Sequence, residues 1–421
     1  MDKIELKQLK YRKVISVIIK FIDSPDVIVL HGARQVGKTS IMQYLINNEL
    51  NQKSDVKNIV YFDLEDFNLL NLCNSGVERV IDYLKELDCN FKKKIYLFLD
   101  EIHYLDNPSS FLKLFHDRYK GQIKLIVSGS SSFAIKSKFK DSLAGRTVNF
   151  EIFGLDFEEF LWFRNKNYKL GPNLTEILNK ELKKLYTEYV LYGSYPRIVL
   201  ERAIVEKEHY LKQIINTYIK KDINDIANIQ DIKKFNDLIR ILAGQSGNLL
   251  NVLELSNTLK IARQTVEEYL FILENTYIIR RIYPWHRNIR SELTKMPKIY
   301  LEDTGIVNLL INKSFSKVLS GQLLENAVYS NLRKNLDAED IYFWRTNVGQ
   351  EVDFIIEKGK KIIPTEVKLK FLNKYLTNLN YFKNEYNIKK SYFVTLDKRE
   401  ASKHKNVFVS YPWELIGING R

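Results

Sequence analysis

The first third of the chain alternates short apolar runs with segments of helical periodicity. The first run, residues 27–30, leads into a glycine-containing loop and then a segment with apolar positions at helical spacing. Further runs occupy residues 58–62, 95–101 and 123–132. Continuous apolar runs of this length are typical of parallel strands buried on both faces. Their order predicts an α/β domain with a mainly parallel sheet.

The pattern changes beyond about residue 155. Amphipathic spacing from 156 to about 245 predicts mostly helices. Residues 249–261, 262–276 and 277–285 then predict helix, turn, helix and strand, which is a winged-helix pattern. A helix at 321–336 precedes β-prone runs in the last part of the chain.

Residues 350–370, QEVDFIIEKGKKIIPTEVKLK, predict a β-hairpin. A two-residue turn at Lys358 and Gly359 pairs Asp353 with Pro364. Because side chains alternate along a strand, this register puts Asp353, Glu366 and Lys368 on one face. A three-residue turn would move Asp353 to the other face. The face predicted to lie opposite carries Val352, Phe354, Ile356 and Val367.

The length of 421 residues predicts several domains. We predict a mainly parallel α/β domain at 1–155, a helical subdomain at 156–230, a winged-helix-like domain at 231–295 and a second α/β domain at 296–421.

Composition narrows the class of protein. Hydrophobic residues make up 45% of the chain and charged residues 28%, as in globular proteins with real cores. The formal charge of +14 favours a polyanionic partner such as DNA, RNA or a nucleotide. Cys73 and Cys89 lie in no CxxC or Cys/His cluster, so we expect no zinc site and a reducing, cytoplasmic setting. The N-terminus predicts neither a signal peptide nor a membrane span.

The loop after the first run, GARQVGKT, fits the phosphate-binding pattern GxxxxGK[ST] between a strand and a helix. Its backbone N–H groups and the helix N-terminus would face phosphates. We expect Lys38 to reach the β and γ phosphates of ATP and Thr39 to ligate Mg²⁺. The alternative is a glycine-rich turn that binds nothing. The predicted nucleotide-binding residues of the loop are Gly32, Ala33, Arg34, Gln35, Val36, Gly37, Lys38, Thr39 and Ser40.

The run IYLFLDE, residues 95–101, ends in two carboxylates, as expected of a central strand whose tip reaches the active-site edge. Asp100 is predicted to hold Mg²⁺ through water, and Glu101 to act as the general base.

Three further side chains are candidates for phosphate contacts. Ser128 and Ser130 end the run LIVSGSSS, where a polar group could sense the γ-phosphate, or could simply form a strand-end turn. Arg146 could stabilise transition-state charge in its own subunit or in a neighbouring one; the alternative is an exposed loop arginine.

The motifs GARQVGKT, LFLDEIHYL, LIVSGSSS, LAGRTVNFEIFGLDFEEFL and YGSYPRIV occur in this order. Together they resemble the AAA-related P-loop ATPases of archaea and bacteria that carry a C-terminal nuclease-like domain. The resemblance continues through GQLLENAVYSNL, RTNVGQEVDFII and PTEVKLK. That family usually has proline at the position of Gly154 and glycine at the position of Ser194. These departures concern structure more than chemistry.

The hairpin chemistry matches the signature of the restriction-endonuclease-like, PD-(D/E)XK, fold. Two carboxylates, Asp353 and Glu366, would hold one or two Mg²⁺ ions, while Lys368 positions water or offsets charge. The resemblance implies a further acid from the preceding helix, here Glu325. The alternative is an ordinary solvent-facing strand with alternating charges.

The winged-helix segment gives mixed signals about DNA. Arg263, Gln264 and Thr265 would begin the second helix, where base edges are read. Three acids on that helix would repel phosphates, so contacts between domains or subunits are the alternative. The acids are Glu267, Glu268 and Glu274, and the better candidates for phosphate contacts are Arg280, Arg281, Arg287 and Arg290.

We therefore predict a Mg²⁺-dependent ATPase whose nucleotide cycle gates or drives a DNA-associated, nuclease-like domain. Two alternatives remain open: a nucleotide switch that binds DNA or a protein without cleavage, and a DNA translocase or remodeller. Partners would be ATP or ADP and DNA, with no membrane. An arginine acting in a neighbour's site would require a homo-oligomer.

Overall fold

The computed structural model describes residues 9–129, 143, 145–217, 229, 231–285, 296–397 and 406–419. The chain forms two compact units. The first comprises residues 1–154 together with 275–277, and the second comprises 155–274 and 278–421. Within the described ranges, no helix is both long and apolar enough to cross a membrane.

The first unit is built on a five-stranded sheet in which every pair of neighbouring strands is parallel. The spatial order is β2-β3-β4-β1-β5. This confirms the predicted α/β class and the mainly parallel sheet. The strands are β1 (Val27–His31), β2 (Ile59–Asp63), β3 (Ile95–Asp100), β4 (Ile123–Gly129) and β5 (Thr147–Glu151). The helices are α1 (Lys13–Ile18), α2 (Lys38–Tyr44), α3 (Phe67–Asn74), α4 (Val77–Glu86) and α5 (Pro108–Tyr119).

Side chains alternate along the central strands, so that one face of the sheet carries the hydrophobic core and the other carries the candidate site. On one face Val29, Leu97 and Val127 pack in a core with side chains of α4 and α5. The residues next to them in sequence point to the other face, and at the carboxyl ends of β3 and β4 these are Asp100 and Ser128. Since Leu99 is the partner of Val127, Asp100 and Ser128 lie side by side near the carboxyl ends of β3 and β4.

The second unit begins with a helical region. Its helices are α6 (Phe157–Phe163), α7 (Glu176–Tyr192), α8 (Pro196–Leu200), α9 (Ile204–Ile214), α10 (Ile232–Gly244), α11 (Val252–Leu259), α12 (Arg263–Asn275) and α13 (Thr304–Asn312). Strands β6 (Ile279–Ile282) and β7 (Lys298–Leu301) form an antiparallel pair. The predicted boundary at 295/296 falls between these two paired strands.

The last part of the second unit is a five-stranded mixed sheet in the order β12-β11-β10-β9-β8. Helix α15 covers one face through Leu376, Leu379 and Phe382. The strands are β8 (Ile341–Arg345), β9 (Glu351–Lys358), β10 (Lys361–Val367), β11 (Ser391–Val394) and β12 (Val407–Ser410), and the helices are α14 (Gly321–Arg333) and α15 (Leu376–Tyr386).

The hairpin turn lies one residue later than predicted. Lys358 pairs with Lys361, so Gly359 and Lys360 form the turn. Gly359 has a φ of 60°, and glycine at the first central position is what a type II′ turn requires. The pairing therefore shifts by two residues and keeps the side-chain alternation. If this pairing is continued by one residue beyond Phe354 and Thr365, Asp353 lies opposite Glu366 rather than Pro364.

A β-bulge interrupts β9 beside this hairpin. Ile355 pairs with Tyr342 and Val352 with Trp344, so two residues of β9, Asp353 and Phe354, stand opposite one residue of β8. As a result Val352 packs in the α15 core, whereas the Phe354 ring lies 5.6 Å from the ring of Tyr300. The prediction that Val352 and Phe354 share a face is therefore wrong, because strict alternation ends at the bulge.

Gly305 in the first turn of α13 lets that helix approach α7. A Cβ at this position would collide with the backbone carbonyl oxygen of Tyr192. Gly321 begins α14, and a Cβ there would meet nothing. We predict that Gly305→Ala lowers the free energy of unfolding by about 1–3 kcal/mol through overpacking. Gly321→Ala should leave it unchanged or raise it slightly. Denaturant unfolding of both variants tests this, and equal effects would contradict it.

Candidate functional site

The phosphate loop joins β1 to α2. A Cβ at Gly32 would collide with the carbonyl oxygen of Ile152, so glycine is needed for this close backbone approach. Gln35 and Gly37 adopt positive φ values of 60° and 98°, which curl the loop. The Lys38 ammonium donates to the carbonyls of Gly32 and Ala33 at 3.0 and 2.9 Å. Lys38 is thereby held above the loop at the start of α2.

Burial lowers the pKa of Lys38 to about 8, although the carboxylates of Glu101 and Asp100 oppose the shift. A weakly hydrated ammonium here is ready to exchange its backbone carbonyl partners for phosphate oxygens. Arg34 also places positive charge near Lys38 and Glu101.

The Asp100 carboxylate is the centre of the site. It accepts hydrogen bonds from the hydroxyls of Thr39 at 2.6 Å and Tyr61 at 2.7 Å, and from Ser128. Only 3% of Asp100 is exposed. Thr39 and Asp100 thus bring two oxygen donors together, the ligand type that Mg²⁺ prefers, so the residues present fit this ion.

Glu101 follows Asp100 in a left-handed conformation, with φ of 55°. Its Oε2 lies 3.1 Å from Nδ1 of His103. Burial raises the pKa of Glu101, but the contact with His103 and the charge of Lys38 outweigh burial, so the pKa lies below its usual value. The side chain is therefore ionised at neutral pH, as a general base must be.

The other predicted nucleotide contacts have different outcomes. Ser128 is fully buried, and besides binding Asp100 its Oγ accepts from the backbone N–H of Glu101 at 3.2 Å. It positions the two acids instead of presenting a free hydroxyl. Ser130 lies outside the described residues, and its role stays a prediction.

Arg146 lies at the opposite end of the strands from the phosphate loop. Its carbonyl accepts from the N–H of Val27, the first residue of β1, whereas the loop follows the last residue, roughly 13 Å along the strand. Its side chain donates to Asp117 at 2.8 Å. This corrects the prediction of a role in its own subunit; a role in a neighbouring subunit stays a prediction.

Two residues near the loop were missed by sequence reasoning. The Arg12 guanidinium donates to the carbonyls of Val36 and Phe153, both at 2.9 Å, and so ties the phosphate loop to the segment after β5. The Tyr277 hydroxyl lies 2.7 Å from Nδ1 of His31, the residue just before the loop. Neither Arg12 nor Tyr277 belongs to a recognisable sequence motif, because both contact the loop region from distant positions in the sequence.

The site residues predicted on the C-terminal hairpin also contact one another. Lys368 Nζ lies 2.8 Å from Asp353 Oδ2 and 2.7 Å from Glu366 Oε1. Asp353 is only 4% exposed and Glu366 5%, so the alternative of an ordinary solvent-facing strand is wrong for these residues. Asp353 also accepts from the N–H of Val367 at 2.8 Å. Asp353, Glu366 and Lys368 are called the hairpin triad below.

Glu325 of α14 stands beside the triad with other partners. The Tyr300 hydroxyl donates to its Oε1 at 2.6 Å, and Lys298 Nζ lies 3.6 Å away. Burial and then the charge of Asp353 raise the pKa values of Glu325 and Glu366. Burial lowers the pKa of Lys298, but its acidic neighbours more than restore it, so Lys298 stays charged. Lys298 and Tyr300 carried no signal in the sequence.

The fit of the C-terminal site to a metal ion is partial. Among the described residues, no three His, Cys, Asp or Glu side chains group in a way that could hold a metal. Two carboxylates of the triad remain as oxygen donors, and Oε2 of Glu366 is buried with no hydrogen-bond partner among the residues described.

Two of the winged-helix candidates, Arg281 and Gln264, are engaged with acids of the same helix. Arg281 pairs with Glu274 at 2.6 Å and with Glu267 at 3.3 Å, so acids that were predicted to repel phosphate instead neutralise this arginine. Gln264 donates to Glu268 at 3.1 Å. Arg287 and Arg290 lie outside the described residues. DNA contact by this segment stays a prediction.

Three sections of the chain match known families. Residues 24–161 match an AAA domain, while 183–317 and 320–415 match two domains of unknown function, DUF8612 and DUF4143. The AAA match contains the parallel sheet, the phosphate loop and Asp100. This section is therefore an AAA-related P-loop ATPase domain, which supports nucleotide binding and ATP hydrolysis.

Similar proteins extend beyond this section. An uncharacterized protein of Methanocaldococcus jannaschii is 28% identical over 383 residues, which cover 89% of this chain and 82% of that protein. An uncharacterized protein of Haemophilus influenzae is 25% identical over 358 residues, covering 83% and 84%. The similarity thus runs through most of the chain.

Two solved structures are also similar. The ORC2 protein of Aeropyrum pernix in its ADP form has a TM-score of 0.35 and 10% identity, covering 76% of this chain and 92% of that one. A STAND ATPase of Pyrococcus horikoshii with a tetratricopeptide repeat sensor has a TM-score of 0.28 and 13% identity, covering 77% of this chain. This chain spans only 45% of that structure. Scores this low do not establish a shared overall fold.

The two hydrogen bonds of Arg12 generate a prediction about nucleotide affinity. Arg12→Met should loosen the phosphate loop and weaken ADP binding about tenfold, equivalent to about 1.4 kcal/mol. Arg12→Lys should restore only part of the affinity, because an ammonium lacks the planar fork that spans two carbonyls. Titration with a fluorescent ADP analogue measures both. Wild-type affinity in Arg12→Met would show that the loop does not depend on this anchor.

Proposed function

We propose that the protein is a Mg²⁺-dependent ATPase whose nucleotide cycle gates a DNA-associated, nuclease-like C-terminal domain. The observation that carries the ATPase part is the hydrogen bond between Thr39 and Asp100, which joins the phosphate loop to the acid-tipped strand. Lys38 beside it is held over the loop, and Glu101 is ionised. A bound Mg²⁺ would neutralise phosphate charge between Thr39 and Asp100.

In this proposal each side chain has one task. Lys38 binds the β and γ phosphates, and the loop N–H groups orient them. Glu101 accepts the proton of the attacking water. Ser128 keeps Asp100 and the backbone of Glu101 in place. Arg146 would act only in a neighbouring subunit, which requires an oligomer.

Lys38→Ala should reduce ATP hydrolysis by about a hundredfold or more, because the charge that stabilises the transferring phosphate is removed. Steady-state phosphate release measures this. The matched control is Lys53→Ala, which removes a lysine whose side chain is 67% exposed. Hydrolysis at the wild-type rate in Lys38→Ala would refute the ATPase part of the proposal.

The hairpin triad supports the nuclease-like part. Two buried carboxylates and a lysine from adjacent strands provide what phosphodiester hydrolysis needs: oxygen ligands for a cation and a charge to orient water. Lys368 bridges both carboxylates, and burial keeps the two carboxylates apart from bulk solvent. A restriction-endonuclease-like fold for this section is part of the proposal.

Asp353→Asn should abolish DNA cleavage. The test incubates single-stranded, duplex and branched DNA with Mg²⁺ or Mn²⁺, with and without ATP. Asp337→Asn is the matched control, since Asp337 is exposed and makes no capping hydrogen bond. Cleavage that persists in Asp353→Asn would assign the activity to another site.

A second candidate is a nucleotide switch that binds DNA or a protein partner without cutting. The ion pairs of Lys368 with both triad carboxylates favour it, because a site satisfied by its own lysine is stable without a cation. Nucleotide-dependent binding without cleavage in either metal would select this candidate.

A further inference from the structure

The backbone of Glu101, the proposed general base, is fixed by its neighbours. Its N–H donates to Oδ1 of Asp100 and to Oγ of Ser128, both at 3.2 Å, in the left-handed conformation with a φ of 55°. These bonds do not set the side-chain torsions of a glutamate. A carboxylate that accepts a proton from water must also point at that water, so a second contact is needed at the carboxylate itself.

His103 supplies a contact at the carboxylate. Its Nδ1 lies 3.1 Å from Oε2 of Glu101, and both atoms are buried. Because a carboxylate only accepts hydrogen bonds, the facing Nδ1 carries a proton in this arrangement. Lys38 and Arg34 act on Glu101 through their charge, whereas His103 contacts one of its two oxygens. The other oxygen, Oε1, can then face the attacking water.

The position of His103 is set by the turn that follows β3. Residues Ile102–Tyr104 form one turn of 3₁₀-helix, in which the N–H of Tyr104 donates to the carbonyl of Glu101 at 3.1 Å. Ile102 and, just after the turn, Leu105 are buried in the core of the first unit. The turn that carries His103 is therefore anchored in the core on both sides of this residue.

The imidazole ring of His103 is restrained as well. It stacks on the ring of Tyr104, with centroids 4.5 Å apart and 30° between the ring planes. The Tyr104 hydroxyl donates to Oε1 of Glu65 at 3.4 Å, in the segment that follows β2. Only 10% of the His103 side chain is exposed. A ring held in this way has little freedom left to lose, so it can fix the direction of the carboxylate that it contacts.

We propose that His103 is a positioning residue for Glu101, which holds one carboxylate oxygen so that the other accepts the proton of the attacking water. His103 itself touches no part of the nucleotide, and no proton passes through it. The inference rests on the proposed ATPase function and goes further, because it names the side chain on which the direction of the general base depends. Turnover should therefore depend on His103, whereas nucleotide affinity should not.

Two amide substitutions separate this role from a merely structural one. His103→Asn places an amide N–H where Nδ1 lies, because both nitrogens are bonded to Cγ. His103→Gln is the matched control, since its amide nitrogen lies one bond further out and takes the place of Nε2. Circular dichroism checks that each variant is folded, and His103→Ala replaces His103→Gln if the latter does not fold. Steady-state phosphate release with Mg²⁺ and ATP gives kcat and KM, and titration with a fluorescent ADP analogue gives the affinity.

His103→Gln should lower kcat about tenfold or more and leave the affinity for ADP within about twofold of the wild-type value. His103→Asn should restore kcat to within about threefold of wild type, because its N–H reaches the same oxygen. The inference is overturned by a kcat that is unchanged or raised in His103→Gln, by equal losses in the two variants, or by a loss of ADP affinity that matches the loss of kcat.

The variant Glu101→Gln distinguishes failure of this inference from failure of the proposed function. Without the carboxylate, His103 has no base to position, so adding His103→Gln to Glu101→Gln should not slow single-turnover ATP hydrolysis further. A further loss in the double variant would show that His103 acts elsewhere and would overturn the inference. If Glu101→Gln alone hydrolyses ATP at the wild-type rate, the proposed general base is wrong, which is a separate result.

Discussion

One buried carboxylate, that of Asp100, holds the nucleotide site together. Its two oxygens accept from Thr39 on α2, Tyr61 on β2 and Ser128 on β4. The phosphate loop, the acid-tipped strand and two neighbouring strands are thereby linked through one side chain. Three hydroxyl donors compensate this carboxylate for the loss of water on burial.

In the C-terminal site, buried carboxylates are compensated for their lost hydration in a different way. Its acids are compensated by ammonium groups, with Lys368 between Asp353 and Glu366 and Lys298 between Glu325 and Glu351. Hydroxyl donors leave an acid with its full charge for a cation, whereas ammonium groups already cancel it. The carboxylate of Asp100 is thus bound by neutral hydroxyl groups, whereas both carboxylates of the hairpin triad are paired with the ammonium of Lys368.

The local features were predictable from the sequence because each depends on neighbouring residues. The parallel strands follow from continuous apolar runs, and the phosphate loop from its glycines between strand and helix. The hairpin turn was misplaced by one residue because either Lys358 or Lys360 can accompany Gly359, and only the pairing with β10 decides. The residues of the hairpin triad still share one face, because a shift of two residues in the strand pairing leaves each side chain on the same face of the sheet.

The features that escaped prediction depend on distant parts of the chain. The bulge at Asp353 arises from pairing with β8, which local alternation does not reveal. Lys298 reaches Glu351 from a strand more than fifty residues earlier, and Arg12 reaches Val36 from before α1. Arg146 looked like a site residue because of its motif, yet the direction of β1 sets it at the far end of the sheet.

The claim that the nucleotide cycle controls the C-terminal domain is tested most directly by DNA cleavage in Glu101→Gln. This variant should bind ATP without hydrolysing it and leave the hairpin triad unchanged. We predict that the wild-type protein cleaves DNA at clearly different rates with ATP, with ADP and without nucleotide. In Glu101→Gln with ATP, the rate of DNA cleavage should stay at one value, because the bound ATP is not hydrolysed. Cleavage that is equal in all these conditions would contradict the claim.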